Sequence, residues 1–380
     1  LPTSNISPYD VIIIGAGVNG CCSAYTLAQA GLNVALIDQD GIASGGSGAA
    51  GAFISPKISK AVELKEIMHQ AHAEALDFYT SFFPKYTLVR PLLHIANSSK
   101  EGEKVESFKR ETDLKHSHLP HKIETMLSDE ALNASSIYFD TGAVVDAQGV
   151  CEAMAEGIDF YLLRAQMPVH QDGMWNIGPI RAKYLILAIG AYPKILPIEY
   201  VGLRGIWGHR IDIETSTHLP CILHHHVSIS PTTKEGRVAI GATHDVHYSP
   251  FSGKPYDLDH GRAVLLEKAS KTLKLSNINV LHDYTGLRSG SNDYLPMLGP
   301  LVDADATLEH FPHLRHGQPV NPSEYIFYPN LLMINGSGGY GFVLAPYLAK
   351  RLKEYLIDAK EIEPILSPSR FFPRWAKRRS

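Results

Sequence analysis

Tyr9-Asp10-Val11-Ile12-Ile13-Ile14-Gly15-Ala16-Gly17-Val18-Asn19-Gly20 is the stretch that decides the fold of this chain. Residues 11–14 are a continuous apolar run, the composition of a strand buried on both faces. The run leads directly into G-x-G-x-x-G, then into a helix of small residues that ends near Gly31. A second strand over 33–37 finishes in Asp38. Gly15 permits the tight turn, Gly17 lets backbone approach a pyrophosphate, and Gly20 lets helix and sheet pack closely. The helix N-terminus presents oriented N–H groups, and Asp38 stands where an acid accepts from a ribose hydroxyl. The glycine motif alone is weak. With strand, helix, second strand and acid in register it is specific.

Immediately downstream, Ala43-Ser44-Gly45-Gly46-Ser47-Gly48-Ala49-Ala50-Gly51-Ala52 carries no side chain larger than a hydroxymethyl and leads into apolar Phe53-Ile54. It offers a second place for backbone to lie against a bulky ligand. The competing reading is a flexible Gly/Ser linker. Helical spacing of Ile67, Ala71, Ala75, Phe78 and Phe82 predicts a long amphipathic helix over 59–83, followed by a strand over 86–96. Residues 97–125, rich in Lys, Glu and His and broken at Pro120, read as an exposed insertion. A strand over 141–146 and a helix over 147–157 come next. A pair of short strands is expected in 158–182, then a buried strand over 182–190 ending in Gly190.

Between 200 and 285 the pattern becomes antiparallel, with strands over 205–213, 221–230 and 238–243, a turn at 232–236 and a helix near 259–274. The last third goes back to the α/β pattern of the first, with a strand over 331–335, a glycine turn over 336–341 and a helix over 342–358. No internal repeat is evident. The layout is an α/β nucleotide-binding domain (1–75, 135–200, 280–380) interrupted by a mostly antiparallel second domain (76–134, 201–279).

The 380 residues suffice for two or three domains, and 44% apolar residues can bury a sizeable core. A net charge of −4 leaves no global basic field, so nucleic-acid contact has to be local. The four cysteines (21, 22, 151, 221) form no C-x-x-C, which fits a reducing compartment. The apolar run near Val11 is short and interrupted by glycine, so no membrane span is expected. Leu1-Pro2-Thr3-Ser4 lacks the charged and apolar regions of a secretory signal. A cytoplasmic protein is the expectation. Nineteen histidines raise the question of a metal. His224-His225-His226, read as strand, alternate faces and cannot all ligate one ion, and His116, His118 and His121 have no Cys or acid at zinc-like spacing. No metal is expected.

Four segments together resemble the glycine/D-amino-acid oxidase (DAO) superfamily of FAD enzymes: the fingerprint with Asp38, residues 43–52, Ala188-Ile189-Gly190-Ala191, and the pair Gly286-Leu287-Arg288 and 336–342. A narrower likeness is to the FAD domain of the bifunctional bacterial tRNA wobble-uridine enzymes. It rests on 51–59, 236–245, Asp293-Tyr294-Leu295-Pro296-Met297-Leu298-Gly299, and Tyr328-Pro329-Asn330-Leu331 leading to Ala345-Pro346. The resemblance implies a Rossmann-like, glutathione-reductase-like FAD-binding domain with an inserted substrate domain. It also implies noncovalent FAD, since no Cys follows Cys221 and no His interrupts 43–52. Cofactor contacts are expected from Gly15, Gly17, Gly20, Asp38, Ser44, Gly45, Gly51, Ala52, Gly190, Gly338, Gly339, Gly341 and Phe342.

The implied reaction oxidises the C–N bond of an N-substituted glycine unit, converting 5-carboxymethylaminomethyl-(2-thio)uridine in tRNA to the aminomethyl form and releasing glyoxylate. Binding that carboxylate calls for a planar bidentate donor, and Arg288 is the candidate, with a surface salt bridge as the alternative. Tyr340 is the second catalytic candidate, for contact with flavin or substrate. Lys57 and Ser55 are weaker ones. The turn over 335–341 opens a helix whose N–H groups can stabilise negative charge, or is an ordinary strand-to-helix turn.

Two departures from the wobble-uridine enzymes stand out. Ser47-Gly48-Ala49-Ala50 replaces a polar Asn-Arg-Gln, and Tyr340 replaces an Arg. The methyltransferase half has no counterpart, which implies a stand-alone oxidase with any methyltransferase as a separate partner. The tail Arg370-Phe371-Phe372-Pro373-Arg374-Trp375-Ala376-Lys377-Arg378-Arg379 mixes cations with aromatics, suited to tRNA contact, to solvation, or to docking back through its rings. A free glycine, sarcosine or D-amino acid as small-molecule substrate, and a non-catalytic nucleotide-binding module, remain the rival functions.

Overall fold

Two sheets organise the chain in a computed structural model that describes residues 7–58, 62–192 and 195–379. In the first sheet, strand Tyr9–Ile14 lies between Val34–Asp38 and Ile180–Leu187, and both pairings are parallel (Ile12↔Ala35 and Ile12↔Leu185). Parallel strands Phe327–Asn335 and Asp159–Leu162 extend it on either side, and Met297–Val302 adds an antiparallel edge. Val11, Ile12 and Ile13 are fully buried, as expected of a strand covered on both faces. The fingerprint helix (Val18–Gln29) packs against the C-terminal helix (Gly341–Ile357). The core beneath contains Ile37, Leu185, Leu187, Leu331 and Met333.

The second sheet is mostly antiparallel; Ile222–His224 joins Thr87–Ile95 in parallel. It is centred on Thr87–Ile95, Ser136–Val145, Leu203–Glu214 and Arg237–Gly241. Its core combines Leu93, Ile211, Ile213, Leu223, Ile240 and Leu265. The expected α/β architecture, a parallel Rossmann-like sheet with a mostly antiparallel second sheet, is present.

The chain forms two compact units: residues through Gly45 with Cys151–Gly205 and everything from Arg288 on, and Gly46–Val150 with Ile206–Leu287. Segments 46–75 and 135–150, assigned from sequence to the nucleotide-binding part, therefore lie in the second unit, as do 280–287, while 201–205 lie in the first. The reason is pairing: Phe53–Ile54 joins Ser136–Val145 at Phe53↔Val144, and helix Val62–Phe82 packs on the same strands. The expected helix start at 59–61 falls outside the described residues.

Three local expectations change. Residues 158–182 hold an edge strand of the parallel sheet, Asp159–Leu162, and a hairpin, Val169–Gln171 with Met174–Ile177, that turns at Asp172-Gly173, both at positive φ. The insertion 97–125 folds around helix Ser99–Glu111, capped by Ser98. The strand expected over 221–230 breaks into Ile222–His224 and Ser228–Ile229, paired at His224↔Ser228 with a tight turn between. The four cysteines are buried thiols. Among the described residues no helix is long and apolar enough to cross a membrane.

Candidate functional site

The fingerprint closes by contact between backbones. Gly15 sits at φ +106°, and a Cβ there would lie 2.3 Å from the Ala188 carbonyl oxygen. A Cβ on Gly20 would lie 1.8 Å from the Gly15 carbonyl oxygen. Only glycine lets strand, loop and helix approach this closely. Gly17 caps the helix with no side chain of its own, leaving the first-turn N–H groups for an anion. The Asp38 carboxylate accepts from Ala16 N (2.8 Å), Asp40 N (2.9 Å) and Gly41 N (3.2 Å), and Ser44 Oγ stands 3.5 Å away. It therefore holds the loop in shape as well as presenting an acceptor. Gly45 packs beneath the ring of Tyr192.

Asn335, which no sequence motif marks, is the junction of this unit. It is 1% exposed; its Nδ2 donates to the Gly190 carbonyl (2.9 Å), and its Oδ1 accepts from Ser289 Oγ and Gly336 N (both 2.8 Å). One amide thus ties the end of a central strand, the strand bearing Arg288, and the C-terminal glycine turn. Asn19 in the fingerprint helix reaches Ser337 of that turn at 3.2 Å. A Cβ on Gly338 or Gly339 would meet nothing within 4 Å, so this part of the turn borders open space. No side chain caps the helix that begins beside it.

Gly341 differs: its Cβ would stand 3.3 Å from Val18 Cγ1, so it serves the close packing of the two helices. Phe342 is buried in the first turn, and Tyr340 is half-buried at the cap. Arg288 is half-buried, and burial pushes its guanidinium below the ordinary value. The first unit therefore gathers Gly15, Gly17, Gly20, Asp38, Ser44, Gly45, Gly190, Gly338, Gly339, Gly341, Phe342, Tyr340 and Arg288.

Gly51 and Ala52 belong to the second unit. Gly51 leaves room for the Phe53 ring, which a Cβ would meet at 2.3 Å, and the Ala52 carbonyl accepts from Val145 N at 3.0 Å. Arg210 carries no motif signal either. It donates to the Ala50 carbonyl, lies 3.4 Å from Asp212 and stacks 3.9 Å over the Tyr284 ring. Residues 50–52 are thus anchored rather than a free linker. Ser55 is buried, and burial lowers the Lys57 amine.

Two segments take a local structure that their sequence left open. The break at His225 removes the strict alternation assumed for the three histidines. His225 and His226 converge with Glu130. The tail's aromatics are packed inside the first unit: Phe372 is fully buried among Tyr200, Tyr325 and Trp375, and Arg370 pairs with Asp293 at 2.8 Å. Its rings are structural, and Arg374, Lys377, Arg378 and Arg379 form its exposed face.

A family model described as FAD dependent oxidoreductase (DAO) matches residues 10–355. The chain belongs to the DAO family. Two curated relatives are tRNA 5-methylaminomethyl-2-thiouridine biosynthesis bifunctional proteins MnmC. The one from Legionella pneumophila strain Philadelphia 1 is 24% identical over 95% of this chain and 57% of the relative. The one from Leptospira interrogans serovar copenhageni, strain Fiocruz L1-130, is 25% identical over 96% and 60%. This chain thus spans little more than half the length of these relatives.

Glycine oxidase from Geobacillus kaustophilus superposes with a TM-score of 0.75 at 19% identity, covering 96% of this chain and 99% of that one. Iminodiacetate oxidase from Chelativorans sp. BNC1 gives 0.68 at 18%, covering 94% and 98%. These two likenesses establish the fold. As a DAO-family member the chain is an FAD-dependent oxidoreductase. Its residues fit the cofactor: a loop closed so tightly at Gly15 and Gly20 that a Cβ would collide with backbone, an uncapped helix start, Asp38, and open space beside Gly338 and Gly339.

Proposed function

We propose that this chain oxidises the C–N bond of an N-substituted glycine unit on the tRNA wobble uridine, turning 5-carboxymethylaminomethyl-(2-thio)uridine into 5-aminomethyl-(2-thio)uridine. The observation that carries this reading is the similarity to MnmC proteins along 95–96% of the chain. Noncovalent FAD, when bound, supplies the two-electron acceptor. The fingerprint glycines, Asp38, Ser44, Gly45 and Gly190 of the first unit would hold it. The N–H groups at Gly338, Gly339 and Gly341 sit at the start of a helix whose dipole favours negative charge.

Arg288 would bind the substrate carboxylate through paired N–H donors. Its partial burial strengthens such a contact by excluding water. Tyr340, where the wobble-uridine enzymes have Arg, would border the reacting groups. Water then releases glyoxylate and leaves the aminomethyl-uridine. The tail would contribute phosphate contacts through Arg374, Lys377, Arg378 and Arg379 only. On this reading the protein acts on tRNA in the cytoplasm.

The test is anaerobic reduction of the bound flavin. The protein is mixed with tRNA bearing carboxymethylaminomethyl-uridine and, separately, with glycine, sarcosine and D-alanine. Loss of oxidised-flavin absorbance with tRNA alone supports the proposal. Loss with free amino acids alone replaces it with a metabolic amine oxidase. A flavin that none of them reduces favours a non-catalytic role.

A further inference from the structure

Among the described residues, one group of three metal-ligating side chains converges: Glu130, His225 and His226, whose ligand atoms all lie within 4.8 Å of one another. We propose that these side chains form a binding site for a borderline divalent transition ion, zinc being the type case, in the second unit. The site is independent of the flavin chemistry.

Its construction is specific. The His225 backbone N–H donates to the Val227 carbonyl at 3.1 Å, closing the turn between Ile222–His224 and Ser228–Ile229. Two successive side chains consequently project together, with ring centroids 4.0 Å apart. Glu130 lies in the first turn of helix Asp129–Leu132, whose cap residue Ser128 donates its hydroxyl to the Lys271 carbonyl and its backbone N–H to the Thr272 carbonyl. Thr272 in turn meets His225 Nδ1 through its own hydroxyl at 3.0 Å, and the Ala96 carbonyl flanks the same ring. The segment that carries the carboxylate and the segment that orients one imidazole are therefore bonded to each other. Outer contacts of this kind orient the ligands of natural metal centres.

The donor set and the spacing agree on the ion. Two imidazoles and a carboxylate suit zinc, cobalt(II) or nickel(II) better than calcium or magnesium, which take oxygen ligands. His226 Nε2 and Glu130 Oε1 now share a hydrogen bond of 2.7 Å. With zinc–ligand bonds of about 2.0–2.1 Å, tetrahedral donors stand about 3.3 Å apart. For this pair an ion needs a shift of about 0.6 Å by an exposed glutamate, and the remaining separations, all within 4.8 Å, close by up to about 1.5 Å through side-chain rotation. Glu130 and His225 also line a groove with Asn97, Glu103, Glu106, Arg110 and Asn133, so water can complete the coordination; the carboxylates there are partly offset by Arg110 and by Lys271 near Glu130.

The test uses the tag-free, flavin-loaded whole chain, stripped with chelator and titrated with Zn²⁺ against a chromophoric competitor. A single equivalent of Zn²⁺ should bind. Affinity should fall at least about tenfold in His226→Ala and in Glu130→Gln, while His121→Gln, an exposed histidine elsewhere, leaves it unchanged. Zn²⁺ should raise the melting temperature of the wild type and of His121→Gln alone. Absence of stoichiometric binding, or equal affinity in all four proteins, overturns the proposal. Should a variant fail to fold, Co²⁺ on the wild type decides. Intense visible ligand-field bands of a low-coordinate nitrogen site support it, and the weak spectrum of hydrated cobalt overturns it.

Discussion

Phe372→Ala separates the two roles open to the C-terminal tail, an RNA-stacking arm or a structural plug. Phe372 has no exposed surface, and it meets Tyr200 and Tyr325 edge-on at 5.5 and 5.1 Å and stacks on Trp375 at 5.8 Å. Truncating a buried phenylalanine costs about 3–5 kcal/mol, from lost transfer energy and the cavity left behind. For a unit of this size each kcal/mol lowers the melting midpoint by about 2–4 °C, so a fall of roughly 6–20 °C is expected. The assay is thermal unfolding followed by intrinsic and flavin fluorescence. Arg378→Ala is the comparison, an exposed change expected to stay within about 0.5 kcal/mol. An unchanged midpoint in Phe372→Ala, accompanied by weaker tRNA binding, would refute the plug and restore the stacking arm.

Other expectations follow from single geometries. Arg288→Lys keeps the charge but removes the paired donors, so KM for the carboxylate-bearing substrate should rise about tenfold or more with flavin content unchanged. An unaltered KM removes Arg288 from the site. Gly20→Ala puts a Cβ 1.8 Å from the Gly15 carbonyl oxygen, so the chain should emerge from desalting without flavin. Full retention would show that the loop yields.

His72, with a pKa pushed down to about 4 by burial and then by His69, stays neutral in the fold while its unfolded form takes a proton near 6.5. Between those values the unfolded state binds the extra proton, so stability should decrease as pH falls through this window. His72 contributes up to about 1.4 kcal/mol per pH unit to this slope, and His72→Leu should reduce it by that share, leaving the contributions of His224 and His225, whose pKa values burial also lowers. Urea midpoints at pH 7 and pH 5 measure this, and identical slopes in the two proteins would discard the assignment.

What can be read from the chain is local. The fingerprint, Asp38 and the buried strands declare themselves because a glycine spacing and an apolar run are properties of neighbouring residues. Asn335 and Arg210 give no such signal. An asparagine before a glycine turn and an arginine two residues from an aspartate are common, and their roles exist only when remote carbonyls, those of Gly190 and Ala50, arrive beside them. The histidine triplet misleads for a related reason. Alternation holds only while a strand continues, and this one ends at His224. The division at 46–75 fails because strand pairing, here Phe53 with Val144, assigns a segment to its unit regardless of chain order.

The glycines show how far motif reading reaches. Gly15, Gly20 and Gly341 all fall in segments expected to touch a cofactor, yet each is required by protein: a carbonyl for the first two and a valine methyl for the third. Gly338 is required by its own positive φ, whereas Gly339 has neither a positive φ nor a neighbour within 4 Å of its Cβ position. A residue whose small size no neighbour demands is the better indicator of a ligand, because the space it keeps open has no occupant in the chain itself. By that criterion substitution at Gly341 should act on stability through the helix pair. Substitution at Gly339 should leave the fold intact and act on flavin affinity. If Gly339→Ala instead lowered the melting temperature of flavin-free protein as much as Gly341→Ala, open space would be no guide to the cofactor and the assignment of this turn would fall.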